Sequence, residues 1–320
     1  MATMNGFSGN KALAGNSLWK DARLRLCRNR AAMVSLFFLL AMVAACYVLP
    51  ATPWVEAPNR MDLTNITAGP SWEHPFGTDQ LGRDLLARVL YGGRISLLVG
   101  LVATAVSLVI GLTFGLVSGY AGGRTDSVMM RAVDVLFALP FIVLVIVFSL
   151  SIEEPSRELT DWLVGATGWA REDVAPMTSL VPLFVAIGAL GWLTLARIVR
   201  TQTMEIKGQD YVVAARSLGL GHLRILFSHI APNLFGTVVV YTTLAVPGIM
   251  LLESVLSFLG LGVKAPNSSW GTLIKEGADR MEVSPELLLF PALFFSLTLL
   301  ALNFLGDGLR DAIDPRASKD

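Results

Sequence analysis

Gln209–Asn233 reads QDYVVAARSLGLGHLRILFSHIAPN, a polar, glycine-punctuated, amphipathic stretch between two hydrophobic spans. Tyr211, Ala214, Ala215 and Leu218 recur at helical spacing and make one apolar face. Asp210 stands near the start of this short helix, where a negative charge suits the dipole. Gly219 and Gly221 end it, as glycine does where a chain must leave a helix. A second amphipathic run puts Leu223, Leu226, Phe227 and Ile230 on one side, and Pro232 breaks it ahead of the next span. Two short helices under a membrane can present an apolar ridge to a groove in a partner, and the small side chains of Ala214 and Ala215 permit close approach. The same periodicity suits a helix resting on lipid, and spacing alone does not choose between the two.

The chain around this stretch is 53% hydrophobic and 16% charged, with no net charge, against roughly 25% charged residues in soluble domains. The shortfall lies in apolar runs of the length, about 20 residues, that crosses a bilayer. Six such spans are expected: Ala31–Pro50, Ile95–Ala121, Val135–Ile152, Leu180–Ala196, Leu234–Leu261 and Leu287–Leu305. The fold class is therefore an all-α membrane protein with six transmembrane helices. Its expected divisions are an inner N-terminal segment (1–30), the first helix (31–51), an outer segment (52–94), a five-helix core (95–305) with an inner loop at 197–233, and an inner tail (306–320). With the N-terminus inside, sixteen of the 25 Lys and Arg residues fall on the inner side. That agrees with the positive-inside rule and puts both termini in the cytoplasm. Among the sixteen are Lys11, Arg316 and Lys319.

The neutral balance argues against a nucleic-acid partner, because binding phosphates requires a basic surface. Cys27 and Cys46 stand apart and, with His74, His222 and His229, make no metal-ligand cluster. Val43-Ala44-Ala45-Cys46 resembles a lipoprotein cleavage box, but the preceding polar segment of about 30 residues is long for a signal. A retained first helix is expected.

Ala103, Ser107, Gly111, Gly115 and Gly119 put a small residue at every fourth position of the second span. Such a stripe lets another helix approach closely. Glu253 is the clearest ionisable residue within a span. A carboxylate there marks a functional position, a place in the pathway or a gate, or else lies near the outer end, wetted or paired. Asp134 reads as a boundary residue at the inner mouth of the third span. One Glu is thin support for a proton relay, and no inverted repeat or selectivity-filter loop is visible.

The pattern D-Y-V-x-A-A-R-x-x-G followed by H-I-x-P-N resembles the cytoplasmic loop signature of bacterial ABC-importer permeases. Val213 stands where that family often has a glutamate. His74-Pro75-Phe76-Gly77-Thr78-Asp79, Leu81-Gly82-Arg83-Asp84, Tyr91-Gly92 and Arg94-Ile95-Ser96-Leu97 resemble the outer segment of dipeptide and oligopeptide permeases. So do Leu256–Gly262, Ser269-Trp270-Gly271, Asn303–Asp311 and Asp314-Pro315-Arg316. These motifs run in order from about residue 74 to 316. The chain is most similar to the second permease subunit of the peptide importers, on a type I importer permease scaffold. The acidic stretch Glu153–Pro176 looks like an outer-loop insertion.

The resemblance implies a non-catalytic subunit that forms half of a pathway for di- or oligopeptides. It makes the 197–233 loop a coupling helix that docks on an ATPase, with Asp210, Tyr211, Ala214, Ala215, Arg216, Leu218, Gly219, His229 and Pro232 as its residues. The partners implied are a second homologous permease subunit, two ATP-binding cassette subunits, an extracytoplasmic peptide-binding protein and inner-membrane lipid. No cofactor is expected on this chain; ATP and Mg would be used by the ATPase subunits. None of the six lysines follows a glycine, so the chain lacks a P-loop. Trp270 could line the pathway, touch the binding protein or anchor at the interface. The His74–Asp84 motif could be read as hydrolytic, but no nucleophile–base pairing is evident, and a loop folded for docking or packing fits it better. Alternatives are a permease for nickel or another small solute on the same scaffold, and a stand-alone proton-coupled transporter.

Overall fold

An asparagine and an aspartate cap the starts of the first long helices in the computed structural model, which describes residues 18–313. Lys11, Asp314, Pro315, Arg316 and Lys319 lie outside these residues. Asn29 caps α2 (Arg30–Val48), its Oδ1 accepting from Ala32 N at 3.1 Å, just after α1 (Leu18–Arg28). Asp84 caps α3 (Leu85–Ala121), its Oδ1 accepting from Ala87 N at 2.7 Å. Each cap satisfies one of the donors that a helix start leaves without an intrahelical partner. The helices α4 (Gly123–Ala138), α5 (Phe141–Thr167), α6 (Arg171–Thr178) and α7 (Val181–Lys207) follow. Two short helices come next, α8 (Asp210–Ser217) and α9 (His222–Ile225), and a π-helical turn (Leu226–Ile230) runs into α10 (Ala231–Phe258). The described chain closes with α11 (Trp270–Ala278) and α12 (Glu286–Ile313).

Among the described residues all the regular elements are helical, and five helices are long and apolar enough to cross a membrane, or six if a bent pair is one span. The bent pair corrects the expected third span. Val135–Ile152 straddles a 97° bend between α4 and α5. Leu139 precedes Pro140, and the proline ring pushes it out of the helical region to φ −87°, ψ 146°. Two further differences concern length. The helix α3 begins ten residues before the expected second span, and its 37 residues make a rod of about 55 Å. That exceeds a hydrocarbon core of about 30 Å. The helix α7 runs on to Lys207, so the inner loop proper is shorter than 197–233.

The expected insertion at 153–176 is not an irregular loop. It is the end of α5 turning into α6, closed by Ser156 Oγ donating to Thr178 O (2.6 Å) and by a 2.6 Å hydroxyl contact between Thr160 and Thr178.

The body of the bundle is the contact of α3 with α7, and the stripe of small residues makes it. A Cβ on Gly115 would stand 2.6 Å from Ala196 O, and one on Gly119 2.6 Å from Arg200 O. Ser107 Oγ donates to Gly188 O at 3.0 Å. The stripe is thus helix packing within the chain. Around this pair, α2 lies along α12, α10 packs on α3, α7 and α12, and α11 wedges between α10 and α12.

The segment between α2 and α3 folds as a cap over one end of the bundle. Arg88 bridges Asp79 (2.7 Å) and Glu276 (2.5 Å), and Arg83 Nε donates to Asp79 Oδ2 at 2.7 Å. His74 Nδ1 lies 2.9 Å from Asp84 Oδ2, and the Phe76 ring stacks on Phe290 at 4.0 Å. The charged side chains of the His74–Asp84 motif face one another and α11; they serve packing.

Candidate functional site

At the opposite end of the bundle the stretch from Gln209 to Asn233 folds as a helix, a turn and a second helix. Asp210 opens α8 in its first turn. The helix closes at Gly219, whose φ of +78° is left-handed; Gly219 N donates to Arg216 O and Leu220 N reaches back to Ala215 O at 3.2 Å. A residue with a Cβ is strained in that conformation, which is why glycine stands there. Gly221 has a different part. At φ −64° it caps the start of α9. Pro232 likewise does not break the second run. It sits in the first turn of α10, where its missing N–H is not needed.

The expected apolar face divides. Ala215 turns inward, 6% exposed, as does Val212, which the helical pattern had not singled out. Val212, Ile225, Leu226, Ile230 and Leu234 form a core with Leu116 of α3 and Val199 of α7. Ala215 is thus a buried residue rather than part of an outward ridge. The outward apolar side chains are Tyr211, Val213, Leu218, Leu223 and Phe227, with Leu218 81% and Leu223 72% exposed. Ala214 and Arg216 are exposed beside them, and His229 is half-buried.

The platform is braced from behind. Asn233 Nδ2 donates to the Tyr211 hydroxyl (3.1 Å) and to His229 O (2.6 Å). Lys207 Nζ donates to Tyr120 O at 2.5 Å, and the Tyr120 hydroxyl meets His222 Nδ1 at 2.9 Å. These bonds fix the stretch to the ends of α3, α7 and α10. The arrangement can hold a partner surface and pass its movement to the long helices. Tyr120, Lys207 and Asn233 were not singled out as site residues from the sequence; no periodicity marks a residue whose role is to reach a distant helix.

The two remaining candidates lie elsewhere. Glu253 on α10 is fully buried, 0% exposed, so it is not at a wetted helix end. Its Oε1 accepts from Ser257 Oγ at 2.7 Å, and its Oε2 faces the hydroxyls of Ser96 and Ser254, each at 3.4 Å. Ser96 Oγ also accepts from Trp270 N at 3.1 Å. The carboxylate therefore pins α3, α10 and the start of α11 together. Trp270 is also 0% exposed. Its indole N–H donates to Val89 O at 2.9 Å, and its ring fits against Gly93, where a Cβ would stand 2.6 Å from it. It is a core residue, neither an interfacial anchor nor a pathway lining, because its indole finds its partner inside the chain.

Comparison with known proteins agrees with this geometry. The family model described as binding-protein-dependent transport system inner membrane component matches residues 111–319. That described as the N-terminal transmembrane domain of oligopeptide transport permease C matches residues 17–70. The oligopeptide transport system permease protein OppC of Haemophilus influenzae is 46% identical over 95% of this chain and 90% of its own length. OppC of Escherichia coli (strain K12) is 45% identical over 98% and 96%, and the dipeptide transport system permease protein DppC of Bacillus subtilis is 40% identical over 94% and 86%. With helices that can cross a bilayer, a braced platform at one end and relatives that match almost end to end, the chain belongs to the inner membrane components of binding-protein-dependent transport systems.

Proposed function

We propose that this chain is the permease subunit of an ATP-driven importer of di- and oligopeptides, forming half of the translocation pathway. The carrying observation is the outward apolar ridge of Tyr211, Val213, Leu218, Leu223 and Phe227 on a platform fixed to α3, α7 and α10. A rigid surface that leaves large apolar side chains exposed marks an interaction site. An ATP-binding cassette subunit is the partner proposed for it, with Asp210, Arg216, Gly219, His229 and Pro232 shaping and edging the surface. Ala214 permits close approach, and Ala215 supports it from inside. Val213, where the family often has a glutamate, adds apolar area to the ridge.

In this reading the α8 end of the bundle and both termini are cytoplasmic, as the excess of Lys and Arg there supports. The cap formed by residues 52–84 then faces outward, toward an extracytoplasmic peptide-binding protein. A second homologous permease subunit packs beside the chain, and two ATPase subunits bind below. The chain is non-catalytic and holds no cofactor; ATP and Mg are used by the ATPase subunits. ATP closes the ATPase pair, the platform moves with it, and the helices turn from inward-open to outward-open. Each ligand shifts that equilibrium only by its differential affinity for the two states. The peptide assignment is supported by relatives named for oligopeptide and dipeptide transport.

The test is to solubilise the tagged chain mildly from its native membrane and identify what is retained. Recovery of a second permease and of ATPases carrying a P-loop is expected; recovery of this chain alone would count against the reading. Uptake of a labelled tripeptide rather than nickel by the reconstituted system then separates the two solutes.

A further inference from the structure

Helix α4 lies between two bends of the backbone, with a clamp between them. It enters from α3 through Gly122 and Gly123, whose φ values of +68° and +57° are left-handed. It leaves through Leu139 and Pro140 at the 97° bend into α5. Among its residues only Asp126 and Val133 are buried. Val133 sits in a small cluster with Trp192, Leu193 and Ala196 of α7. Asp126 accepts two hydrogen bonds from Arg200 of α7, Nε and Nη2 each at 2.5 Å, and one from Ser118 Oγ of α3 at 2.5 Å.

About two turns further along α4, Asp134 accepts from Arg197 Nη2 at 2.6 Å. These two side chains are largely exposed, 62% and 45%, whereas the Asp126 side chain is only 10% exposed. An exposed ion pair contributes little, while a shielded, two-pronged carboxylate–guanidinium contact is directional and strong. Arg200 lies two turns before the end of α7 at Lys207, after which Gly208 and Gln209 lead straight into α8.

We propose that Asp126 and Arg200 are positioning residues of the transport cycle: their paired contact makes α4 move with α7, so that displacement of the α8 platform is delivered to α5 through the bend at Pro140. This rests on the reading that the platform docks on an ATPase. The physical reason is mechanical. A helix set off by a bend at each end follows its neighbour only if a contact prevents it from rolling, and a planar guanidinium held by two bonds resists rotation where a single bond would not. Beyond its connection to α4, α5 packs on α6 and directly on α7; the route through α4 adds to that direct contact a push at the bend.

The test uses the full chain assembled with its partner subunits in nanodiscs, with Cys27→Ser to remove the exposed thiol and Leu150→Cys as a reporter on the exposed side of α5. The rate of maleimide labelling is compared without nucleotide and with ATP plus vanadate. Retention of ATPase subunits on the tag is measured separately. The wild-type background is expected to show a rate change of about tenfold. Arg200→Gln and Asp126→Asn should keep the ATPase subunits bound but lower that change to about twofold or less. Arg200→Lys, which keeps the charge and loses the fork, should fall between. Should Asp126→Asn leave no chain in the membrane, Arg200→Lys carries the comparison. A nucleotide-dependent change that persists undiminished in Arg200→Gln and Arg200→Lys overturns the proposal while leaving ATPase docking intact. A wild-type chain that retains no ATPase subunit overturns the docking reading, and the proposal with it.

Discussion

Tyr211 on α8 and Asn233 on α10 are joined by a 3.1 Å hydrogen bond, and the same Asn233 amide donates to His229 O at 2.6 Å. One side chain thus ties the first helix of the platform to the turn before the long helix that follows it.

Asn233→Ala should loosen the platform without unfolding the bundle. Losing hydrogen bonds at an exposed site costs about 1 kcal/mol, which corresponds to roughly fivefold faster amide exchange in a segment that opens locally. Hydrogen-exchange mass spectrometry of the purified chain is expected to show that change across α8 and not across α3. Unaltered exchange at α8 would remove the brace from the account.

Leu218→Glu and Ala215→Glu should fail in different ways. Leu218 is exposed, so a charge there should change stability by only about 0.5 kcal/mol, with chain recovery unchanged and ATPase subunits lost from the tag. Ala215, by contrast, is only 6% exposed. A carboxylate at that position would be buried without a partner, at a cost of several kcal/mol. The expected result is a fall in folded chain before any docking can be measured. Normal retention of ATPase by Leu218→Glu would count heavily against the ridge.

Gly115→Val tests the seam between α3 and α7. The added atoms would press on Ala196 O and Val199, and overpacking of this kind costs about 1–3 kcal/mol or more. Thermal unfolding in detergent should show a clear drop in midpoint. Gly165→Ala, where an added Cβ meets nothing within 4 Å, should stay within about 0.5 kcal/mol of wild type.

Glu253→Gln separates a structural carboxylate from a proton carrier. Gln can still bond to Ser96, Ser254 and Ser257, so assembly and uptake should stay within about threefold of wild type, a difference of under 1 kcal/mol. Glu253→Leu leaves those hydroxyls without a partner, at about 1–3 kcal/mol for each group, and should reduce folded chain. Transport abolished by Gln with the fold intact would point instead to proton coupling.

The long apolar runs and the every-fourth small residues of α3 were legible as spans and as a packing stripe, because hydrophobic burial and close helix approach leave their period in the chain. The helix, glycine stop and second helix of the 209–233 stretch were legible for the same reason. Pattern reading did not show which apolar residues of that stretch face inward. Val212 is chosen by the neighbours that share its core, Leu116 and Val199, which stand on other helices. Trp270 shows the same limit. A tryptophan beside a predicted span is commonly interfacial, and only the space left by Gly93 and the carbonyl of Val89 takes this one into the core.

Element type and the amphipathic character of the 209–233 stretch are local properties, governed by backbone sterics and side-chain period, and the linear order of residues carries them; the bonds that brace that stretch are not local, Tyr120 and His222 standing 102 residues apart. Contacts such as Asp126 with Arg200, 74 residues apart, and Arg88 with Glu276, 188 residues apart, depend on how helices cross. Those crossings are set by shape and packing over the whole bundle, and tertiary structure alone decides them.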